Sequence, residues 1–160
     1  MSAFGLFQAG DHDYAVPLAQ IRKIIQGNSL FSLPLLPAGI DHVLVHESTL
    51  IPILLRCQRG NRLEHCSESE SYVLVDSEFG LLAFAAQPGS RIVANHKGTL
   101  SVARERETAW QVGTFSYQER AYKILDVDVL AMEISRGNGS ICLTLSGSRR
   151  LNEEEAAAGR

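Results

Sequence analysis

Tyr72-Val73-Leu74-Val75-Asp76 is followed by Ser77-Glu78 and then by an apolar run from Phe79 to Ala85, broken only by Gly80. In the first run Tyr72, Leu74 and Asp76 alternate with Val73 and Val75, and both sets are mostly apolar. A period of two with two apolar faces describes a strand covered on both sides or closed into a small barrel. The polar pair and the second run predict a hairpin with its turn at Ser77-Glu78. The same form recurs as Val43 to His46, a turn near Glu47-Ser48, and Leu50 to Leu55. It returns as Trp110 to Tyr117, a turn at Gln118-Glu119, and Arg120 to Leu125. Phe4 to Gln8 and Tyr14 to Val16, separated by Ala9 to Asp13, make a fourth. Short strands with polar turns at fairly regular intervals argue for an all-β barrel or pair of barrels, because closure removes exposed edges.

Helical signals are scarce. Leu18, Ile21, Ile24 and Ile25 recur at helical spacing after Pro17, which predicts a short helix or 3₁₀ segment there. Val127 to Ile134 follows Asp126, an N-cap residue type, and predicts one terminal helix, with Asp128 in its first turn near the positive dipole end. Asn28 to Ile40 contains Pro34, Pro37 and Gly39 and reads as a crossing loop, and Arg59 to Ser71, rich in glutamate and serine, as a polar loop. After Arg136 the chain reads Gly137-Asn138-Gly139-Ser140, then a short apolar run Ile141 to Leu145 with the pattern of an edge strand, then an acidic, alanine-rich end. The expected division is therefore a domain over 1–135 and an extension over 136–160.

The 160 residues suit one domain, and 45% hydrophobic with 21% charged content supplies a core without disulfide staples. A formal charge of -3 provides no cationic field for nucleic acid. The apolar runs fall short of the roughly 20 residues a membrane span needs, and no secretory signal opens the chain, so a cytoplasmic protein without membrane insertion is expected. Cys57, Cys66 and Cys142 are odd in number and lack C-x-x-C spacing, and His65 beside Cys66 is better read as part of a solvated loop than as a ligand.

The search for catalytic constellations finds no G-x-S-x-G, H-E-x-x-H, Walker or G-x-G-x-x-G pattern. Asp126 and Asp128 read as helix cap and first-turn residue rather than an acid pair. His42 and His46 would share a strand face, but scattered histidines in turns and strands carry no metal signature. No catalytic residue, metal or cofactor is expected. For Ile21, Ile24 and Ile51 the residues alone favour core over a binding surface.

The order of segments adds a resemblance. Phe4 to Ile25, with Gly10, Asp11, Tyr14 and then Ile21-Arg22-Lys23-Ile24-Ile25, resembles the opening of CheW-like domains. Leu33-Pro34 to Ile40 is similar to their proline-bearing loop, and Leu50-Ile51-Pro52-Ile53-Leu54 to their V-I-P-V-I-D-L strand. Tyr72 to Val75 with Gly80 to Ala83 resembles the start of the second half, and Ile124 to Leu130 the closing strand and helix. The resemblance spans about Ala3 to Ala131. It implies two five-stranded SH3-like β-barrels packed together, and a non-catalytic adaptor joining the cytoplasmic tips of chemoreceptors to the regulatory domain of the histidine kinase CheA. Where the family has Asn-Leu-Arg-Gly, this chain has Val45-His46-Glu47-Ser48. The family glutamate is Lys23 here, and two family aspartates are Leu55 and Phe84. The implied partner-binding positions are Ile21, Lys23, Ile24, Glu47, Ser48 and Ile51. An acidic position became Lys23 and an arginine became Glu47, so an ion pair of reversed polarity between the two is expected. The alternative is a repurposed barrel that binds another signalling protein or peptide after losing the receptor contact.

Overall fold

The computed structural model describes residues 2–9, 12–26, 30–31, 40, 42–54, 71–102, 104 and 108–135. Among them the strands are β1 (Ala3–Ala9), β2 (His12–Pro17), β3 (Ile21–Gln26), β4 (Leu30–Phe31), β5 (Val43–His46) and β6 (Thr49–Leu54). The second half supplies β7 (Ser71–Ser77), β8 (Gly80–Ala86), β9 (Arg91–Ala94), β10 (Thr99–Val102), β11 (Gln111–Tyr117) and β12 (Arg120–Leu125), followed by the helix α1 (Val127–Ser135). Leu18–Gln20 and Asn95–Lys97 are 3₁₀ turns.

The strands form two sheets, β9-β1-β2-β12-β11-β10 and β3-β7-β8-β6-β5-β4. They are the same sheet twice. Each is antiparallel except for one parallel joint, β2 with β12 and β8 with β6. Each also takes one hairpin from the other half of the chain: β1–β2 sits with β9 to β12, and β7–β8 with β3 to β6. Neither barrel is complete without both halves. The expected pair of barrel-like subdomains with a short terminal helix is what forms, and each sheet carries a sixth, outer strand, the two-residue β4 and the four-residue β10.

The two apolar faces legible in Tyr72 to Val75 serve two different cores. Tyr72 and Leu74 fill the interior of the β7–β8 barrel with Leu44, Ile51, Ile53, Ala83 and Ala85. Val73 and Val75 face a central layer between the barrels with Phe7, Tyr14, Val16, Phe84, Trp110 and the inner face of α1. The interior of the β1–β2 barrel holds Phe4, Leu6, Ala15, Phe115, Tyr122 and Ile124. Period two is thus used on both faces of β1, β2, β7 and β8, which is why these strands read as continuously apolar.

Local chemistry explains the remaining departures. The deciding hairpin turns one residue later than expected, at Glu78-Phe79, because Ser77 pairs with Gly80. Gly80 takes a φ of 117°, open to glycine, and the Ser77 hydroxyl donates to the Gly80 carbonyl at 2.7 Å. The helical spacing after Pro17 resolves into the 3₁₀ turn and then strand β3, in which the β-branched Ile21, Ile24 and Ile25 are at home. A register shift between Ile21 and Lys23 makes Arg22 an extra, bulged residue. The helix α1 starts as expected: the Val129 N–H donates to the Asp126 carboxylate at 3.1 Å, and Val127, Leu130, Ala131 and Ile134 form its buried stripe. Asp128 does more than favour the helix dipole, since its Oδ1 accepts the Glu78 N–H at 2.8 Å and fastens the β7–β8 turn to the helix. Ser71, expected in the polar loop, is the buried first residue of β7. Within the expected crossing loop Leu30–Phe31 forms β4, and expectations for the rest of that loop over 28–29 and 32–39, for Leu55, 59–70, His65, the three cysteines and 136–160 with its Ile141–Leu145 run fall outside the described residues.

Candidate functional site

Hairpin β5–β6 pairs Leu44 with Ile51 and Val45 with Leu50, and closes through Glu47-Ser48. The inward pair is fully buried, and that burial sets the register. A two-residue closure requires the left-handed region at both turn positions, and Glu47 and Ser48 adopt φ of 48° and 63°. Neither is glycine, so the turn holds on the order of 1 kcal/mol of strain at each. The outward pair, Val45 and Leu50, is 41% and 59% exposed. A strained tip with an aliphatic pair behind it is the apolar part of the site.

The charged part lies on β3. Arg22 stands on the bulge and grips Asp76 with both arms of its guanidinium, Nε to Oδ2 at 2.8 Å and Nη2 to Oδ1 at 2.9 Å. These hydrogen bonds first, then the charge of Asp76, raise the Arg22 pKa above its ordinary value, and the charge of Glu47 adds to the effect. The charge of Glu47 at the β5–β6 tip is thus felt on β3, although β3 is not a neighbour of β5 or β6 in the ladder.

Four of the six sequence-derived residues are exposed: Lys23, Ile24 at 44% exposure, Glu47 and Ser48. Two are not. Ile51 has 0% exposure inside the β7–β8 barrel and cannot touch a partner in this conformation. Ile21 is half-buried against the central layer, and its Cδ1 occupies the space a Cβ on Gly5 would need, so it ties β3 to β1. The expected Lys23–Glu47 pair is not formed. The ion pairs among the described residues are Arg22–Asp76, Arg120–Asp13 at 3.1 Å and the 3.6 Å approach of His46 to Glu47, which is ionic only when His46 is protonated. The cation that feels Glu47 is Arg22, one residue from the one chosen. Sequence reasoning missed Arg22, Asp76, Val45 and Leu50. A signal for the last two was present, in that the outward positions of a hairpin with an apolar inward face were themselves apolar.

Among the described residues no group of three His, Cys, Asp or Glu side chains could hold a metal ion, His42 and His46 included. No described helix is long and apolar enough to cross a membrane.

No curated protein matches the chain. In fold it is similar to the scaffolding protein TtCheW from Thermoanaerobacter tengcongensis, with a TM-score of 0.62 at 12% identity, over 81% of this chain and 91% of that one. The family model for the CheW-like domain matches residues 3–135, and the chain belongs to that family.

Proposed function

We propose that this chain works in the cytoplasm as an adaptor between the cytoplasmic tip of a chemoreceptor and the regulatory domain of a CheA-type histidine kinase, binding through the outer surface of the β7–β8 barrel. The family is one of non-catalytic scaffolds in chemotaxis signalling, which supplies the coarse role. The observation that carries the finer one is a contrast between equivalent hairpins. Behind the β5–β6 tip the cross-strand pair is Val45 with Leu50, and behind the β11–β12 tip it is Ser116 with Ala121. At these two tips, large aliphatic groups stand outward only on β5–β6. Lys23 and Ile24 on β3, with Glu47 and Ser48 at the tip, would rim this pair with polar and charged groups, the composition of a modest protein interface. Ile21 and Ile51 hold the rim from beneath. Such an interface gives moderate affinity, raised by the many copies in a receptor array.

Calorimetric titration of the chain with a receptor-tip fragment and with the kinase regulatory domain tests the proposal. Both are expected to bind with dissociation constants on the order of tens of micromolar or tighter. Failure to bind either in that range would sink it. Binding to the kinase domain without the receptor tip would select the repurposed barrel, which the replacement of Asn-Leu-Arg-Gly by Val45-His46-Glu47-Ser48 favours.

A further inference from the structure

Strand β10, on the other barrel, serves no core. Thr99, Leu100, Ser101 and Val102 are all exposed, Val102 at 77%, and no residue of β10 belongs to any of the three apolar clusters. Every other described strand of four or more residues has at least one buried residue. Yet β10 is held closely against β11: a Cβ on Gly113 would strike the Ser101 carbonyl, and one on Gly98 would strike the Phe115 ring. Among the described residues β10 pairs with β11 alone, and no described strand meets the backbone N–H and C=O groups of its second edge.

Proteins commonly guard such edges with charge, bulges or shortness. Three of the four outer strands comply. Strand β3 has Arg22, Lys23 and a bulge, β4 has two residues, and β9 opens with Arg91. Strand β10 has no charge, proline or bulge in Thr99-Leu100-Ser101-Val102. The nearest described charges lie just beyond both ends, Lys97 before it and Arg104 after it, both exposed, and Arg104 is followed in the sequence by Glu105, Arg106 and Glu107.

This pattern selects the occupant. A second copy adding antiparallel to β10 would set Lys97 of one chain against Arg104 of the other at both ends, and like charges there oppose it. A strand with a carboxylate beyond each end would meet both cations. We propose that the outer edge of β10 is a docking site for an extended segment of another protein, aliphatic at alternate positions and acidic at both ends, which joins the sheet as an added strand. Backbone pairing supplies the affinity, Leu100 and Val102 receive the aliphatic side chains, and Lys97 with Arg104 sets the charge preference. The site is on the opposite barrel from the surface assigned to receptor and kinase, and does not depend on that assignment.

The test uses the full chain and two capped octapeptides, Glu-Ser-Val-Thr-Val-Thr-Ser-Glu and its counterpart with lysine at both ends, followed by amide NMR. The glutamate peptide is expected to bind with a dissociation constant on the order of hundreds of micromolar and to shift and protect the Thr99–Val102 amides. The lysine peptide should bind at least about five-fold more weakly at low salt, with the gap closing as salt rises. Val102→Lys should abolish binding with the thermal midpoint unchanged, and Lys97→Glu with Arg104→Glu should reverse the preference between peptides. Equal binding of both peptides, shifts confined to other strands, or no shift at millimolar glutamate peptide would overturn the proposal. So would a sedimentation-detected dimer that Val102→Lys dissolves, because the edge would then belong to a second copy.

Discussion

The two barrels share one plan and differ at their tips. Gln118 and Glu119 close β11–β12 with φ of 48° and 63°, the values of Glu47 and Ser48. Around the first of these tips the molecule is stitched together. Arg91 donates to the Gln118 side chain at 3.0 Å and stands over the Tyr117 ring at 5.9 Å, and Arg120 reaches Asp13 on β2 at 3.1 Å. At the β5–β6 tip the contact within the turn is His46 with Glu47. Among the described residues, an identical backbone device is thus held by side chains of β9 on one barrel, and on the other meets His46 beside the outward Val45 and Leu50. The difference teaches that backbone geometry alone does not mark a functional tip. What marks it is which neighbours the side chains are given.

The comparison assumes that the barrels are one cooperative unit, joined by exchanged hairpins and a common central layer. Phe84 is the most direct way to break that assumption, since it is fully buried in the layer and stacks on Phe7 at 5.4 Å. Phe84→Ala should cost about 3–5 kcal/mol. Urea unfolding followed by Trp110 fluorescence and by far-ultraviolet circular dichroism should remain a single coincident transition at a lower midpoint. Separate transitions for the two probes would mean that the barrels unfold independently.

Ile51 comes next, and sharpens the contrast between what lies under the tip and what lies on it. Ile51→Ala should cost about 2–5 kcal/mol in thermal or urea unfolding, because it empties a site inside the β7–β8 barrel. At protein concentrations and temperatures where the variant stays folded, partner binding should change little. A binding loss without a stability loss would return Ile51 to the surface role that the sequence suggested.

Tyr14 tests the central layer by pH. Burial raises its hydroxyl from 10.0 to about 12. An acid whose folded pKa lies above its unfolded value contributes stability that is fully present below pH 10 and is lost as pH rises from about 10 to 12. A rise of that size corresponds to roughly 3 kcal/mol. The alkaline limb of the stability curve should therefore be steeper in the natural chain than in Tyr14→Phe, and equal limbs would show that the ring ionises without leaving the core.

How much of this was legible follows from where each residue's constraint comes from. The strands of both barrels could be read because Tyr72 to Val75 and its counterparts carry period two on both faces, a constraint written locally. The cap at Asp126 was equally local. The exchange of hairpins between barrels was not, because strand order depends on pairings far apart in the chain, such as Arg91 with Leu6 or Tyr14 with Lys123. Strands β9 and β10 gave little signal, since each has only four residues, and the alternation of Thr99-Leu100-Ser101-Val102 marks no buried face. The expected Lys23–Glu47 pair does not form, and the bulged Arg22 pairs with Asp76 instead, a bulge that no fixed composition announces. Ile51 was misassigned because resemblance transfers position, while inward or outward orientation is decided by the ladder.

The turns offer a smaller effect that separates strain from function. Replacing Ser48 or Glu119 by glycine relieves a non-glycine residue at positive φ, and each should stabilise the chain by about 1 kcal/mol, read as a rise in thermal midpoint. The pair sharpens the comparison through a second readout. Glu119→Gly should leave receptor and kinase titrations unchanged, because that tip is tied to its own barrel. Ser48→Gly removes a rim side chain and should alter them. Equal behaviour in both assays would make the two tips equivalent, and the contrast would fail.

The smallest stability effect carries the most functional weight. Val45→Ser with Leu50→Ala gives the β5–β6 hairpin the pair that β11–β12 already has in Ser116 and Ala121. Both side chains face outward, so the change should cost less than about 1 kcal/mol of stability, the scale of one exposed cross-strand pair. If the presented tip is the partner surface, titration with whichever partner the natural chain binds should weaken by at least about ten-fold, since aliphatic anchors at the centre of an interface carry more than their surroundings. A barrel that binds as before with serine and alanine in those places would be using some other surface. The difference between the two tips would then be one of stitching alone.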